Sequence, residues 1–243
     1  ARVAAGSAAR SCLEDLGGSI LGRGVALGGV GAEDGTTLEW KLLEEAPYHV
    51  DRPNGSKMAA VRCSDPKAAS RMIEIIDAAR ESGDSLGGII ECQIINVPVG
   101  LGEPIFSALD SEISRAMFSI PAVKGVEFGK GFESAKILGS ENNDQYYVSK
   151  KKVSTKTNNS GGILGGISNG MPIEFRLAFK PPSSILKKQS SFNLKSKKSE
   201  TLTVKGRHDP CVLPRAVPIV ESVAALVLAD HGLRSGQINS IIK

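Results

Sequence analysis

Residues 65–83 read DPKAASRMIEIIDAARESG, and residues 87–97 read GGIIECQIINV. In the first stretch Asp65 can cap a helix, Pro66 suits its first position, and Met72, Ile73, Ile76 and Ala79 form an apolar stripe before Gly83 stops it. The second stretch, Gly87 to Val97, reads as a strand. Working outward, Ala1 to Leu16 has helical character, with Val3, Leu13 and Leu16 as core contacts, and ends at Gly17-Gly18. Ile20 to Gly31 is a glycine-rich strand that lies close to another backbone. Gly35 to Asn54 takes no clear assignment, with Trp40 able to anchor it and Pro53-Asn54-Gly55 as a turn. Downstream, Phe106, Leu109, Ile113, Ala116, Met117 and Ile120 recur at helical spacing, and Val123 to Phe128 is a strand. Tyr146 to Thr157 reads as a loop or ragged hairpin. Ile173, Phe175, Leu177 and Phe179 alternate with Glu174, Arg176 and Lys180 as in a half-buried strand. Phe192 to Val204 suggests a hairpin with its tip at Lys195 to Lys198, and a closing helix runs from about Arg215 to His231. Helices and antiparallel strands in alternating groups make the class α+β.

A chain of 243 residues can bury one substantial core, and nothing divides it cleanly, so it is expected to form a single domain over 1–243. Hydrophobic content of 41% with 23% charged residues fits a globular protein rather than a disordered one. The net charge of +4 is mildly basic, which suits phosphorylated ligands without requiring them. Cys12, Cys63, Cys92 and Cys211 form no CxxC pair and no histidine falls at ligand spacing, which argues against a metal site. Scattered thiols fit a reducing, cytoplasmic setting. The most apolar stretch, Ala216 to Ala229, is broken by Pro218, Glu221 and Ser222. A bilayer takes about 20 apolar residues, so this one reads as a core helix, with no signal peptide and no membrane partner expected.

Chemistry concentrates in a few segments. In Gly206-Arg207-His208-Asp209-Pro210-Cys211, Arg207 can bind an anion and Asp209 or His208 can move a proton. Alone, such a run is more often a solvated turn. Asn158 to Gly170 is rich in glycine, which lets backbone N–H groups approach a flat ring or a phosphate, or makes a tight crossing with no ligand. It matches neither a P-loop nor a dinucleotide fingerprint. Lys180-Pro181-Pro182-Ser183-Ser184 offers an ammonium and two hydroxyls, groups a phosphate monoester uses, though such runs are also ordinary surface loops. The clusters Lys150 to Lys152, Lys187-Lys188 and Lys195 to Lys198 lack interleaved aromatics, at 5% aromatic overall, and read as solvated loops rather than a nucleic-acid surface.

Together with Gly83-Asp84-Ser85-Leu86-Gly87-Gly88 and Val97-Pro98-Val99-Gly100-Leu101-Gly102-Glu103-Pro104, these segments closely resemble, in order and spacing, the signature segments of chorismate synthase. The resemblance covers essentially the whole chain but only the back part of the family's pattern: Ala1 to Gly6 looks like the middle of a family segment. The chain therefore reads as a fragment, the C-terminal two-thirds of such an enzyme.

The resemblance implies a β-α-β sandwich, a homotetramer, and conversion of 5-enolpyruvylshikimate 3-phosphate to chorismate with reduced FMN as cofactor and NADPH as a candidate reductant. It implies flavin contacts at Pro121, Ala122 and Gly165, and at the phosphate and ribityl side from Lys180, Pro181, Pro182, Ser183 and Ser184. It assigns Arg207 to the flavin or the neighbouring substrate anion and Asp209 to proton movement. Two departures matter. Pro182 stands where relatives more often carry Thr, removing a hydroxyl and an N–H, and Pro121 stands where many have Asn, leaving only a backbone or packing role. His208 is kept out of the catalytic set because some relatives have Ser there. The family's two catalytic histidines and several substrate arginines belong to the front portion, and none of His49, His208 and His231 matches them. The alternative is a truncated, non-catalytic module that binds flavin or oligomerises; a basic RNA-binding protein is the weaker third.

Overall fold

The Asp65 carboxylate accepts from the backbone N–H groups of Lys67, at 2.8 Å, and Ala68, at 3.1 Å, so the first turn of the next helix has its orphan donors met. The structure, a computed structural model, describes residues 1–15, 17–32 and 55–238. Its elements run α1 (Arg2–Glu14), β1 (Ser19–Leu27), β2 (Val30–Gly31), α2 (Lys57–Val61), α3 (Pro66–Glu81), β3 (Gly88–Ile95), α4 (Leu109–Phe118) and β4 (Val123–Phe128). A 3₁₀ turn follows at Gly131–Lys136, then α5 (Gly139–Asn142), β5 (Tyr146–Ser149), β6 (Lys152–Thr155), β7 (Ile163–Leu164), β8 (Ile167–Ser168), β9 (Ile173–Phe179), β10 (Gln189–Asn193), β11 (Lys198–Leu202) and α6 (Leu213–Arg234). Mixed helix and sheet in this order is α+β, as expected. The segment 35–54, with Trp40 and most of the Pro53-Asn54-Gly55 turn, lies outside the described residues, as does Leu16.

The chain divides into two compact units. The first comprises residues 1–23, 90–178 and 216–243; the second comprises 24–89 and 179–215. In the first unit the strands lie in the order β1, β3, β9, β4. Period-two alternation sends Ile20, Ile90, Cys92, Ile94, Ile173, Phe175 and Leu177 to the buried face. The other face is charged: Arg23 meets Glu91 at 2.8 Å, Gln93 donates to Glu174 at 2.6 Å, and Arg176 meets Glu127 at 3.0 Å. Such cross-strand pairs set register by penalising a one-residue slip.

Helix α4 buries Leu109, Ile113 and Met117, and each is worth roughly 1.5–3 kcal/mol. It starts three residues later than the spacing suggests, and Phe106 is 96% exposed. Helix α1 buries Gly6, Ala9 and Leu13, while Val3 is exposed. The contact face is set by Gly6, where a Cβ would meet the Cα and Cβ of Ser222 on α6, so the small residues and not the larger Val3 let the helices approach.

Helix α6, at 22 residues, is longer than the stretch 216–229 read from sequence and is long and apolar enough to cross a membrane by length and composition alone; 61% of its most apolar stretch is buried within the protein, as in the core helix expected from sequence. Its buried Glu221 accepts from the Gly22 N–H at 2.8 Å and faces Arg10 at 3.4 Å, tying α1, β1 and α6 together.

In the second unit the end of β1 pairs with β2, Ala26 opposite Gly31 and Leu27 opposite Val30, around Gly28-Gly29 at φ of 54° and 86°. Two positive φ values in a two-residue turn define the type that matches strand twist, and glycine adopts it without strain. Helix α3 buries Ala68, Ala69, Met72 and Ala79. The hairpin of β10 and β11 is as expected, with Asn193 accepting from the N–H groups of Lys195 and Ser196 at its tip.

His231, on α6, is 2% exposed and its Nε2 makes no hydrogen bond among the described residues. Burial, and then the Arg234 charge, hold its imidazole below its ordinary value, while Asp230, Glu112 and Glu103 oppose them. The unfolded chain takes the proton at about 6.5 and the folded one only lower, so stability is complete above that pH and declines as pH falls through it. We expect the melting temperature to fall between pH 7.5 and 5, and His231→Gln to flatten that slope; equal slopes would show that His231 is not the group responsible.

Candidate functional site

Strand β9 ends at Phe179, and the residues after it cannot pair. Pro181 and Pro182 have no N–H, so Lys180–Ser184 leaves the sheet as a loop. Lys180, Ser183 and Ser184 are exposed. The Lys180 ammonium touches its neighbour's carbonyl at 3.4 Å, and the two serine hydroxyls make no hydrogen bond among the described residues. Arg207 is likewise exposed and, among the described residues, unpaired. Asp209 is paired, but with Arg215 at 2.6 Å, in the first turn of α6, and not with its sequence neighbour Arg207. Both partners are substantially exposed, so the pair orients the carboxylate more than it stabilises the fold.

These two loops are held by one segment of the second unit, 83–88. The Gly83 carbonyl accepts from Leu186 at 2.9 Å, and Asp84 accepts from the Lys187 ammonium at 2.7 Å. That hydrogen bond, then the Ser85 N–H, holds the Asp84 carboxyl below its usual range. Ser85 donates its hydroxyl to the Pro182 carbonyl at 2.6 Å. The Leu86 N–H donates to the Pro210 carbonyl at 2.7 Å, and Leu86 bridges Cys211 in parallel. Gly87 lies against Phe179 and Pro181, where a Cβ would sit 3.0 Å from the Pro181 ring. From the sequence this segment enters only through the family resemblance, with no role assigned to it; its glycine content is the local signal of close backbone approach.

A cavity of about 390 Å³ opens in the same unit, walled by Ala59–Arg62, by Ile73, Ile76, Asp77 and Arg80 of α3, and by Asp209–Cys211, Pro214 and Arg215. Ile73 and Ile76 of the sequence-read stripe thus face the cavity rather than the core. Arg80 pairs with Asp77 at its wall. Arg62 takes φ of 55°, a left-handed conformation uncommon for a non-glycine residue. Of the catalytic and cofactor-binding residues named from sequence, only Asp209 lines this cavity. The Cys211 thiol is pushed up to about 11, by burial first, against the Leu213 N–H, with the Asp209 charge adding to it. It stays protonated at neutral pH, as suits a bystander. His208 is half-buried and its Nε2 has no partner among the described residues.

The other named residues belong to the first unit. Pro121 is exposed at the end of α4, and Ala122 takes φ of 74°. Gly165 and Gly166, at φ of 59° and 82°, form the two-residue turn between β7 and β8. Gly165 is exposed, with open space where a Cβ would stand, whereas a Cβ on Gly166 would meet Ala108 at 2.7 Å. The turn is held from below. Buried Ser168 donates its hydroxyl to Pro98 at 2.6 Å and accepts from the Leu101 N–H at 2.9 Å, while the Gly166 carbonyl accepts from Leu109 at 2.8 Å. Sequence reasoning named Gly165 but missed Ser168.

The donor set of the second unit fits the phosphate of a flavin mononucleotide. An ammonium held only by its neighbour's carbonyl, with two hydroxyls and a guanidinium that have no partner among the described residues, suits a phosphate monoester. An exposed left-handed glycine turn suits the approach of a planar ring to backbone.

These features define an α+β protein whose exposed Lys180–Ser184 and Arg207–Asp209 loops are held by the glycine-rich segment 83–88. The chorismate synthase family model matches residues 1–233. The chain is 43% identical over 241 residues to chorismate synthase of Dehalococcoides mccartyi, covering 99% of this chain and 63% of that one. It is 46% identical over 238 residues to the Methanosarcina mazei enzyme, covering 98% and 62%. A crystal structure of chorismate synthase superposes with a TM-score of 0.73 at 31% identity, covering 96% of this chain and 62% of the other. The chain belongs to the chorismate synthase family, and it spans under two-thirds of the length of the relatives it matches, at 63% and 62%.

Ser168→Ala removes one donor and one acceptor from a buried position, at a cost of about 1–3 kcal/mol. The Leu101 amide should exchange faster with solvent and the unfolding midpoint should drop; unchanged protection at Leu101 would refute the brace.

Proposed function

We propose that this chain is the back portion of a one-domain chorismate synthase, supplying the phosphate side of a reduced-FMN site and a proton-moving carboxylate. In the whole protein the reaction breaks the C–O bond of 5-enolpyruvylshikimate 3-phosphate to its phosphate and removes a ring hydrogen in a 1,4 relationship. The ring gains a double bond with no net redox change. The observation that carries this is the convergence of the Lys180–Ser184 and Arg207–Asp209 loops on one segment, 83–88, with the side chains of Ser183, Ser184 and Arg207 lacking partners among the described residues and Lys180 held only by its neighbour's carbonyl. Reduced FMN, when bound, supplies transient electron density that helps phosphate leave. Lys180 and Arg207 hold anions, Ser183 and Ser184 donate hydrogen bonds, and Gly165 admits the ring. Asp209, oriented by Arg215, takes part in proton transfer. Family membership favours this over the non-catalytic module. NADPH as reductant, a homotetramer and a cytoplasmic setting complete the proposal.

Lys180→Ala and Arg207→Ala should each weaken FMN binding by about tenfold to a hundredfold, since a charge-assisted hydrogen bond is worth roughly 1.5–3 kcal/mol. Titration of the full-length protein checks this; unchanged affinity in both variants would overturn the assignment.

Asp209→Asn should leave flavin affinity nearly intact and lower turnover about 10²–10⁴-fold, the usual share of a general acid–base group. A chorismate assay giving near-normal turnover would sink that role.

A further inference from the structure

Between the end of β9 and Leu186 the loop has little to hold it. Pro181 and Pro182 donate nothing, and Lys180 touches only its neighbour's carbonyl, at 3.4 Å. The hydroxyl of Ser85, 97 residues away in sequence, is the one donor among the described residues that reaches the loop from outside, at 2.6 Å from the Pro182 oxygen. Ser85 is itself held: its N–H donates to Asp84 at 2.9 Å, and Asp84 is fixed by Lys187 at 2.7 Å.

The proline ring of Pro182 fixes φ but leaves ψ free, and ψ decides how the following peptide plane is turned. In a trans peptide the carbonyl of one residue and the N–H of the next point in opposite directions within a shared plane. A hydroxyl that captures the Pro182 oxygen therefore turns the Ser183 N–H away from Ser85, in a stretch where Ser183 and Ser184 are exposed.

We infer that Ser85 is a positioning residue for phosphate recognition: by holding the Pro182 carbonyl it aims the Ser183 N–H at the cofactor's phosphate. This rests on the proposed role of Lys180–Ser184. It replaces by tertiary contact the rigidity the loop cannot obtain from its own backbone bonds, and it needs only a hydroxyl at position 85.

The test separates phosphate recognition from general packing by comparing FMN with riboflavin, which carries the same ring without the phosphate. Dissociation constants of both oxidised flavins would be measured by fluorescence titration of the full-length protein, for the wild type, Ser85→Ala, Ser85→Cys and Ser85→Thr, with Lys180→Ala alongside. We expect Ser85→Ala to weaken FMN about three- to tenfold, the worth of one hydrogen bond, and to leave riboflavin unchanged. Ser85→Thr, which keeps the hydroxyl, should restore FMN to within about twofold of the wild type on the same ground. Ser85→Cys keeps the size with a weak donor, and carries the test if the alanine variant does not fold. Equal losses for both flavins, or an unaltered preference for FMN in the Ser85 variants while Lys180→Ala abolishes it, would overturn the inference and leave the loop's role standing. A wild type with no preference for FMN, and no effect of Lys180→Ala, would overturn the loop's role and the inference with it.

Discussion

Gly87 and Gly88 have no side chains, and the backbones packed against them in the second unit come closer than a Cβ would allow. A Cβ on Gly87 would collide with the Phe179 carbonyl and crowd Pro181, and one on Gly88 would collide with the Ala26 carbonyl and stand 2.7 Å from Leu213. The approach brings the end of β9 and the start of α6 onto one short segment, and with them the Lys180 and Arg207 loops. A methyl group at either site has backbone as its neighbour, which cannot swing aside as a side chain can, so relief would have to come from shifting a strand. Misplacement of a binding group by about 1 Å is enough to cost a large part of catalysis.

The first unit solves the same problem with a different device. Its glycine turn at Gly165-Gly166 is set on a buried hydroxyl, Ser168, that serves Pro98 and Leu101 at once, so the turn and the Val97–Pro104 segment hold each other. In both units the residues that would touch a ligand are exposed and poorly tied, and those beneath them are buried or bonded to backbone. Preorganisation of this kind places the conformational cost in folding rather than in binding.

Charge follows a parallel division. Exposed pairs such as Arg215 with Asp209 contribute little stability and serve orientation, because water screens them. Glu221 is different: buried, it satisfies the Gly22 N–H and faces Arg10 across α1, and removing one partner from such a set typically costs about 3–5 kcal/mol.

The amino-acid order by itself determined the elements with strong periodicity. Asp65, Pro66 and the stripe from Met72 to Ala79 define α3, and the alternation from Ile173 to Phe179 defines β9, because both signals are local. The family resemblance, and not the residues alone, singled out Lys180–Ser184, Arg207, Asp209 and Gly165. Tertiary structure decided what depends on distant partners. Small residues and not Val3 form the face of α1, since the gap to Ser222 admits no side chain at Gly6. Ile73 and Ile76 face a cavity, Asp209 pairs with Arg215 instead of its neighbour, and Ser85 and Ser168 hold loops far from them in sequence. A hydroxyl is ordinary in sequence and gains its meaning from the carbonyl that folding brings within 2.6 Å.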